Sequence, residues 1–261
     1  MKRGHIQIGG LTLHLDGQEG ISRNASLDSI VLGGRSTAPK VANPFEEGKK
    51  AFGEKRYDTA LEYFARELTT NQKNAWACYY VGRTYAALHI DEHAEAMFGK
   101  AVELRPAFAT QDYEDALAQI VKNDYTKALW AIERASEVAQ YVQKTPRKEI
   151  LETANKIGVA FKDGSAGRKD YAAAKRAFTA ALAVDPKYVP AYYHLGTIAY
   201  TEKNYTLARE KLEEVVALDP KHKWAHFVLY QTQTALRNPA AQYHLRQAAQ
   251  LGHPEAAKLV K

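Results

Sequence analysis

Small and apolar residues return at a fixed interval along this chain, and that interval predicts helices in pairs. Ala60, Ala94 and Ala128 stand 34 residues apart, and Ala174 and Ala208 repeat the spacing. Four residues after each alanine comes a bulkier apolar side chain, Phe64, Phe98, Ile132, Phe178 or Leu212, and Ala101, Ala135 and Ala181 follow three residues further on. Steps of three and four residues line up on one face of an α-helix, so each set marks the buried stripe of one helix. A second set lies upstream: Gly48, Gly82, Ala116, Gly158 and Gly196, with Tyr85 and Phe161 three residues after two of them. A small residue there lets a partner helix approach closely. Pro106, Pro186 and Pro220 fall twelve residues after the alanines of their repeats, where proline ends one helix pair and starts the turn to the next. A period of a few tens of residues marks an array in which each helical hairpin buries its apolar face against its neighbours.

Two registers are complete enough to carry a resemblance. Val81-Gly82-x-x-Tyr85 is followed by Ala94, Phe98, Ala101 and Pro106, and Leu195-Gly196 by Tyr205, Ala208, Leu212 and Pro220. Over residues 41 to 253 the chain resembles the tetratricopeptide repeat family. The resemblance implies an all-α fold, a right-handed superhelical solenoid of about six helical hairpins, here preceded by a non-helical N-terminal arm. It divides the chain into an arm at 1–40, repeats one to three at 41–142, and 143–261 with a basic insertion helix, repeats four to six and a capping helix.

Departures from the period are also readable. Ala128 and Ala174 are 46 residues apart, twelve more than one period. About eight extra residues are expected at 143–150 and about four in the turn from Asp163 to Arg168. Thr145 and Pro146 read as the cap and first residue of a new helix. A sixth pair runs through Trp224, Leu229 and Leu245, turning at Arg237-Asn238-Pro239. The run from Leu245 to Ala256 resembles the related Sel1-like repeat, and a last helix near 254–260 is expected to cap the array.

With 261 residues, 46% hydrophobic and 25% charged, the chain has enough apolar surface for a continuous core. No apolar run approaches the length that spans a bilayer. The opening residues, Met1 to Gly10, lack the apolar stretch of a secretory signal, so a cytoplasmic location is expected, or a periplasmic or envelope-associated one if a signal has been removed. The single cysteine, Cys78, falls at an inward helix position and reads as a buried, inert thiol.

Net charge is +6, but its placement matters more than its sum. Residues 143–176 hold nine basic side chains against four acids. Arg147, Lys148, Arg168, Lys169, Lys175 and Arg176 are the candidate basic patch, a surface for an acidic partner, a phosphate backbone or an anionic membrane. Nucleic-acid binding favours aromatic platforms among the cations, and only Phe161 and Tyr171 are near, both at core positions.

In the resembled family, the first helices of the repeats line a concave face with their second, fifth, ninth and twelfth positions. Those positions hold Phe45, Lys49 and Phe52, then Trp76, Tyr79 and Arg83, then Tyr113 and Leu117, then Tyr193 and Tyr200, and finally Trp224 and Phe227. Aromatic rings bury much area at small entropic cost, so this groove suits an extended peptide or a helix. The family's clamp for a chaperone's terminal carboxylate maps onto Phe45, Lys49, Tyr80, Thr110 and Glu114, none of which supplies the clamp residue, so that mode of recognition is not expected.

Residues 1–40 follow a different pattern. Ile6 and Ile8, then Gly9-Gly10, then Leu11, Leu13 and Leu15 alternate with polar residues, as in two short strands about a two-glycine turn. Such a hairpin needs a surface to lie on, and the arm is read as a docking element for an assembly partner. Leu27, Ile30, Val31 and Leu32 form an apolar patch between turn-like stretches at 16–20 and 33–39.

Chemistry finds no foothold. His89 and His93, like His222 and His226, are four residues apart, but the first pair flanks a turn, the second stands at a helix start, and in neither is the first histidine followed directly by the glutamate of a zinc-hydrolase helix. No phosphate loop, nucleophile elbow or dinucleotide fingerprint occurs, so no catalytic residue, cofactor or metal is expected. The reading is a non-catalytic adaptor or structural subunit of a multiprotein assembly, with bacterial pilus, secretion, motility or envelope machines as hosts implied by the resemblance. The alternative is a nucleic-acid-associated protein using residues 143–176.

Overall fold

A computed structural model describes residues 4–8, 11–15, 30–32, 41–143 and 145–260, the first three segments as backbone alone. The expected Gly9-Gly10 turn, the stretches at 16–20 and 33–39, Leu27, and Lys144 of the basic segment lie outside the described residues. In the arm, β1 (Gly4–Ile8) and β2 (Leu11–Leu15) pair antiparallel with Ile8 opposite Leu11, the register that a two-residue loop dictates. A third strand, β3 (Ile30–Leu32), which the sequence marks only as apolar, pairs parallel to β2. β1 runs beside the second helix of the chain.

From residue 44 onward the described chain is helical, and it divides into two compact units, Met1–Thr110 with Tyr141–Thr145, and Gln111–Gln140 with Pro146–Lys261. The first unit holds two hairpins, α1 (Pro44–Gly53) with α2 (Tyr57–Thr70) and α3 (Ala75–Ala87) with α4 (Asp91–Leu104), then a 3₁₀ turn at Pro106–Ala109. The second is built from α5 (Gln111–Val121), α6 (Tyr125–Tyr141), α7 (Arg147–Asp163), α8 (Tyr171–Val184), α9 (Val189–Thr201), α10 (Tyr205–Leu218), α11 (Lys223–Ala235), α12 (Ala241–Gln250) and α13 (Pro254–Leu259).

In four of the hairpins a glycine of the first helix rests on a large side chain of the second. A β-carbon on Gly48 would lie 2.5 Å from the Phe64 ring, one on Gly158 2.5 Å from Phe178, one on Gly196 2.7 Å from Leu212 and one on Gly82 3.1 Å from Phe98. Helix starts are fixed by side-chain caps: Asn43, Asn74, Asp170 and Asn204 accept N–H groups of α1, α3, α8 and α10, and two histidines, His222 and His253, do so for α11 and α13.

The tight turn between paired helices has its own period. Lys55, His89 and Asn123, and again Lys203 and Arg237, adopt left-handed backbone at φ of 55–61°, each 34 residues from the next in its series. In the fourth hairpin Gly164 takes that role at φ 94°.

The twelve residues in excess of the period are distributed over both helices of the fourth junction. Helices α2, α4, α8 and α10 each have 14 residues and α6 has 17, while α3, α9 and α11 have 13 and α7 has 17. Three extra residues therefore extend α6, four open α7, one lies between them, and four enlarge the turn after Asp163. The insertion lengthens repeat helices and forms no helix of its own. The start of α7 also corrects the sequence reading by one step. Pro146 occupies the cap position and α7 begins at Arg147, because the Thr145 hydroxyl donates to the Val142 carbonyl at 3.0 Å and does not cap.

Candidate functional site

In the first unit, Phe45, Lys49 and Phe52 follow one another at steps of four and three residues along α1, and Trp76, Tyr80 and Arg83 do the same along α3. The Tyr80 ring joins the two rows, 5.7 Å from Phe45 and 6.0 Å from Phe52, both edge-on. The Arg83 guanidinium lies 4.9 Å from the Phe52 ring and 5.7 Å from Tyr80, Lys49 lies 5.3 Å from Phe45, and Arg105 lies 5.3 Å from Trp76. Cations over aromatic faces are worth about 0.5–2 kcal/mol apiece, depending on desolvation, so the rings hold the charged heads in place. Lys49 is also paired with Glu46 at 2.9 Å. Trp76, 37% exposed, leans edge-on against Phe108 at 4.6 Å.

Tyr79 does not join this surface. It is fully buried, stacked on Phe108 at 5.5 Å and edge-on to Phe98 at 5.6 Å. Its neighbour Tyr80, which the groove reading passed over, takes the place between α1 and α3.

The second unit carries its own aromatic row. Tyr113 packs against the core beside α7, while Leu117, one turn on along α5, is exposed. Tyr193 meets His222 at 4.8 Å and His194 at 5.5 Å. Tyr200 packs on Tyr205 across the α9–α10 turn at 5.7 Å, the same contact that Phe52 makes with Tyr57 at 5.7 Å. Trp224, 47% exposed, lies edge-on to His253 at 4.3 Å, and Phe227 stacks on the same imidazole at 4.0 Å.

Most of the candidate basic patch is already engaged. The Arg147 guanidinium donates to the Ala139 and Val184 carbonyls, in the last turns of α6 and α8, where helices leave acceptors unsatisfied. Arg176 makes a two-point pair with Glu133 at 2.8 and 2.6 Å, Lys175 pairs with Glu202 at 3.0 Å, and Lys148 lies 3.9 Å from Glu152. Arg168 and Lys169 are exposed in the turn after α7, whose 17 residues separate them from Lys148 by roughly 25 Å.

Several polar groups are buried in the second unit. His226 Nε2–H donates to the Pro220 carbonyl at 3.1 Å, which leaves its Nδ1 to accept from His244 Nδ1–H at 2.9 Å. Burial and the neighbouring His226 push His244 down to about 4. Lys162 Nζ lies 3.0 Å from His194 Nδ1. In the first unit, burial pushes the Cys78 thiol up to about 11 and removes its nucleophilic form at neutral pH. Among the described residues no group of three or more His, Cys, Asp or Glu side chains is placed to hold a metal, and no helix is long and apolar enough to cross a membrane.

Residues 166–223, the segment from the α7–α8 turn to the start of α11, match the family model described as tetratricopeptide repeat. Similar solved structures include YrrB, described as a TPR protein with an unusual peptide-binding site, at 19% identity, covering 76% of this chain and 98% of that one with a TM-score of 0.41. PilW, described as a widely conserved type IV pilus biogenesis factor, is 16% identical, with coverage of 86% and 100% and a TM-score of 0.41. The C-terminal part of a TPR repeat-containing protein from Cytophaga hutchinsonii is 16% identical, with coverage of 82% and 81% and a TM-score of 0.42. No curated protein sequence matches the chain. The hairpins outside residues 166–223 repeat the 34-residue spacing and the left-handed turn residue found within them, and in several of them a first-helix glycine packs on a large second-helix side chain as Gly196 does on Leu212, so the similarity to tetratricopeptide repeats extends beyond the matched segment.

Proposed function

We propose that this protein is a non-catalytic scaffold that holds a segment of a protein partner, extended or helical, on the aromatic rows of its first helices, with the N-terminal arm as a second attachment to the same assembly. The observation that carries the reading is the row in the first unit, where Phe45, Phe52, Tyr80 and Trp76 alternate with Lys49, Arg83 and Arg105. Rings already ordered by their neighbours lose little freedom on binding, and the cations over them favour a partner segment carrying acidic as well as apolar side chains. Trp76 and Trp224, both partly exposed, are the anchors. For the arm, the order β1-β2-β3 leaves each outer strand paired on one side only among the described residues, a backbone edge to which a partner strand adds.

Crosslinking capture from the native host tests this with the full chain, Trp76→Ala, Trp224→Ala and a form lacking residues 1–40, each at two salt concentrations. Partners lost with either tryptophan and retained at high salt support the aromatic row. Partners lost only with the arm move recognition there. Capture dominated by nucleic acid and abolished by salt would overturn the reading, since phosphate contacts release counterions.

A further inference from the structure

We propose that Lys162 and His194 form a subsite for a carboxylate side chain, Asp or Glu, of the bound partner segment. The source of that carboxylate rests on the scaffold reading above, whereas the subsite rests on its own geometry. Lys162 stands in the last turn of α7, four residues after Gly158, and His194 on α9 beside Tyr193, in the second unit. The ammonium lies 3.0 Å from His194 Nδ1. An ammonium has only hydrogens to give, so Nδ1 is the acceptor and the ring proton sits on Nε2. The ring is held in that orientation by Phe178, stacked on it at 4.9 Å, and by Tyr193 at 5.5 Å.

Every polar hydrogen this pair has left is therefore a donor: the remaining ammonium hydrogens and His194 Nε2–H. Among the described residues Lys162 makes no ion pair and His194 no second ring hydrogen bond. The acids of the same region have hydrogen-bond donors of their own, and the neighbouring Asp163 attracts the Lys162 ammonium without pairing with it. Asp163 accepts from the Ser165 N–H at 2.8 Å, Glu202 holds Lys175 at 3.0 Å, and Asp219 accepts from the Lys221 N–H at 3.1 Å. Lys162 is half-buried with a neutral imidazole as its polar partner, an arrangement that taxes the ammonium, whose affinity for its proton is lowered by burial. His194 is held neutral, down to about 4, by burial and by the Lys162 charge. A donor-only site with one net positive charge is complementary to an acceptor-only monoanion, which is a carboxylate and not a phosphate dianion.

The test uses the full-length chain and a small probe, N-acetylglutamate N-methylamide, with the glutamine analogue as its neutral counterpart, followed by NMR of the His194 ring and the Lys162 ammonium. The glutamate probe should give a saturable shift of both groups and raise the His194 pKa, the glutamine probe should give neither, and Lys162→Met should weaken the response at least about tenfold while the melting curve stays cooperative. Equal responses to the two probes, an undiminished response in Lys162→Met, or saturation by inorganic phosphate at lower concentration than by glutamate would each overturn the assignment. Absence of probe binding in a protein that still captures a partner through Trp76 and Trp224 removes the subsite alone. Probe binding in a protein whose capture ignores both tryptophans removes the scaffold face and leaves the subsite standing.

Discussion

Phe178 lies so close to the α-carbon of Gly158 that a methyl group there would sit 2.5 Å from the ring. Alanine is the better helix former by about 1 kcal/mol, but overpacking of this kind costs about 1–3 kcal/mol. The balance depends on the space available at each hairpin. Gly158→Ala and Gly48→Ala, both at 2.5 Å, are expected to destabilise most, Gly196→Ala at 2.7 Å less, and Gly82→Ala at 3.1 Å to be close to neutral. Urea midpoints for the four variants check the order. A uniform stabilisation by the alanines would show that the hairpins relax freely.

A second expectation concerns the turns. Lys203 adopts φ 61° between α9 and α10. Left-handed backbone costs a residue with a β-carbon about 1–2 kcal/mol, part of which glycine returns through its greater freedom in the unfolded chain. Lys203→Gly should raise stability by roughly 0.5–1 kcal/mol, and Lys203→Val should lower it, as read by chemical denaturation.

Arg147 is a clasp for helix ends and not a free cation. Arg147→Met removes donors from the Ala139 and Val184 carbonyls and is expected to cost about 2 kcal/mol. Arg147→Lys keeps the charge but lacks the fork that reaches two acceptors at once, so it should recover only part of the loss. Full recovery by lysine in a thermal melt would show that charge alone suffices there.

Acid should loosen the second unit. His194 and His244 are both held near 4 in the folded chain, against an ordinary value of 6.5, and burial holds His222 and His253 below the ordinary value as well. Above about pH 6.5 these rings are neutral folded or unfolded and contribute nothing. As pH falls from 6.5 toward 4 the unfolded chain takes up protons that the folded chain refuses, so stability is lost across that window and these two rings add no further loss below it. Allowing for residual solvent contact, His194 and His244 account for on the order of 2 kcal/mol each. Urea midpoints at pH 7.5 and pH 5 should therefore differ, and His194→Gln should shrink the difference. An unchanged difference in that variant would mean the ring is solvated.

Much of the architecture is written in local spacing. The 34-residue recurrence, the pairing of Gly48 with Phe64 and of Gly196 with Leu212, the four extra residues in the turn after Asp163 and the two antiparallel strands of the arm follow from helical and strand periodicity and from the room that a missing side chain leaves. Such features depend on residues close in sequence, so the chain alone determined them. Tyr79 and Tyr80 show where that stops. They are adjacent, equally aromatic and about 100° apart around one helix, and Phe108, from the segment after the next helix, decides which of them is buried. In the same way Arg147 reads as one more cation of a basic run until the ends of α6 and α8 are brought to it, and Lys162 meets His194 only because α7 and α9 pack side by side across 32 residues of sequence. Tertiary structure alone decided these partners, because a hydrogen bond or a ring contact depends on where two side chains end in space, and no periodicity of either segment records that.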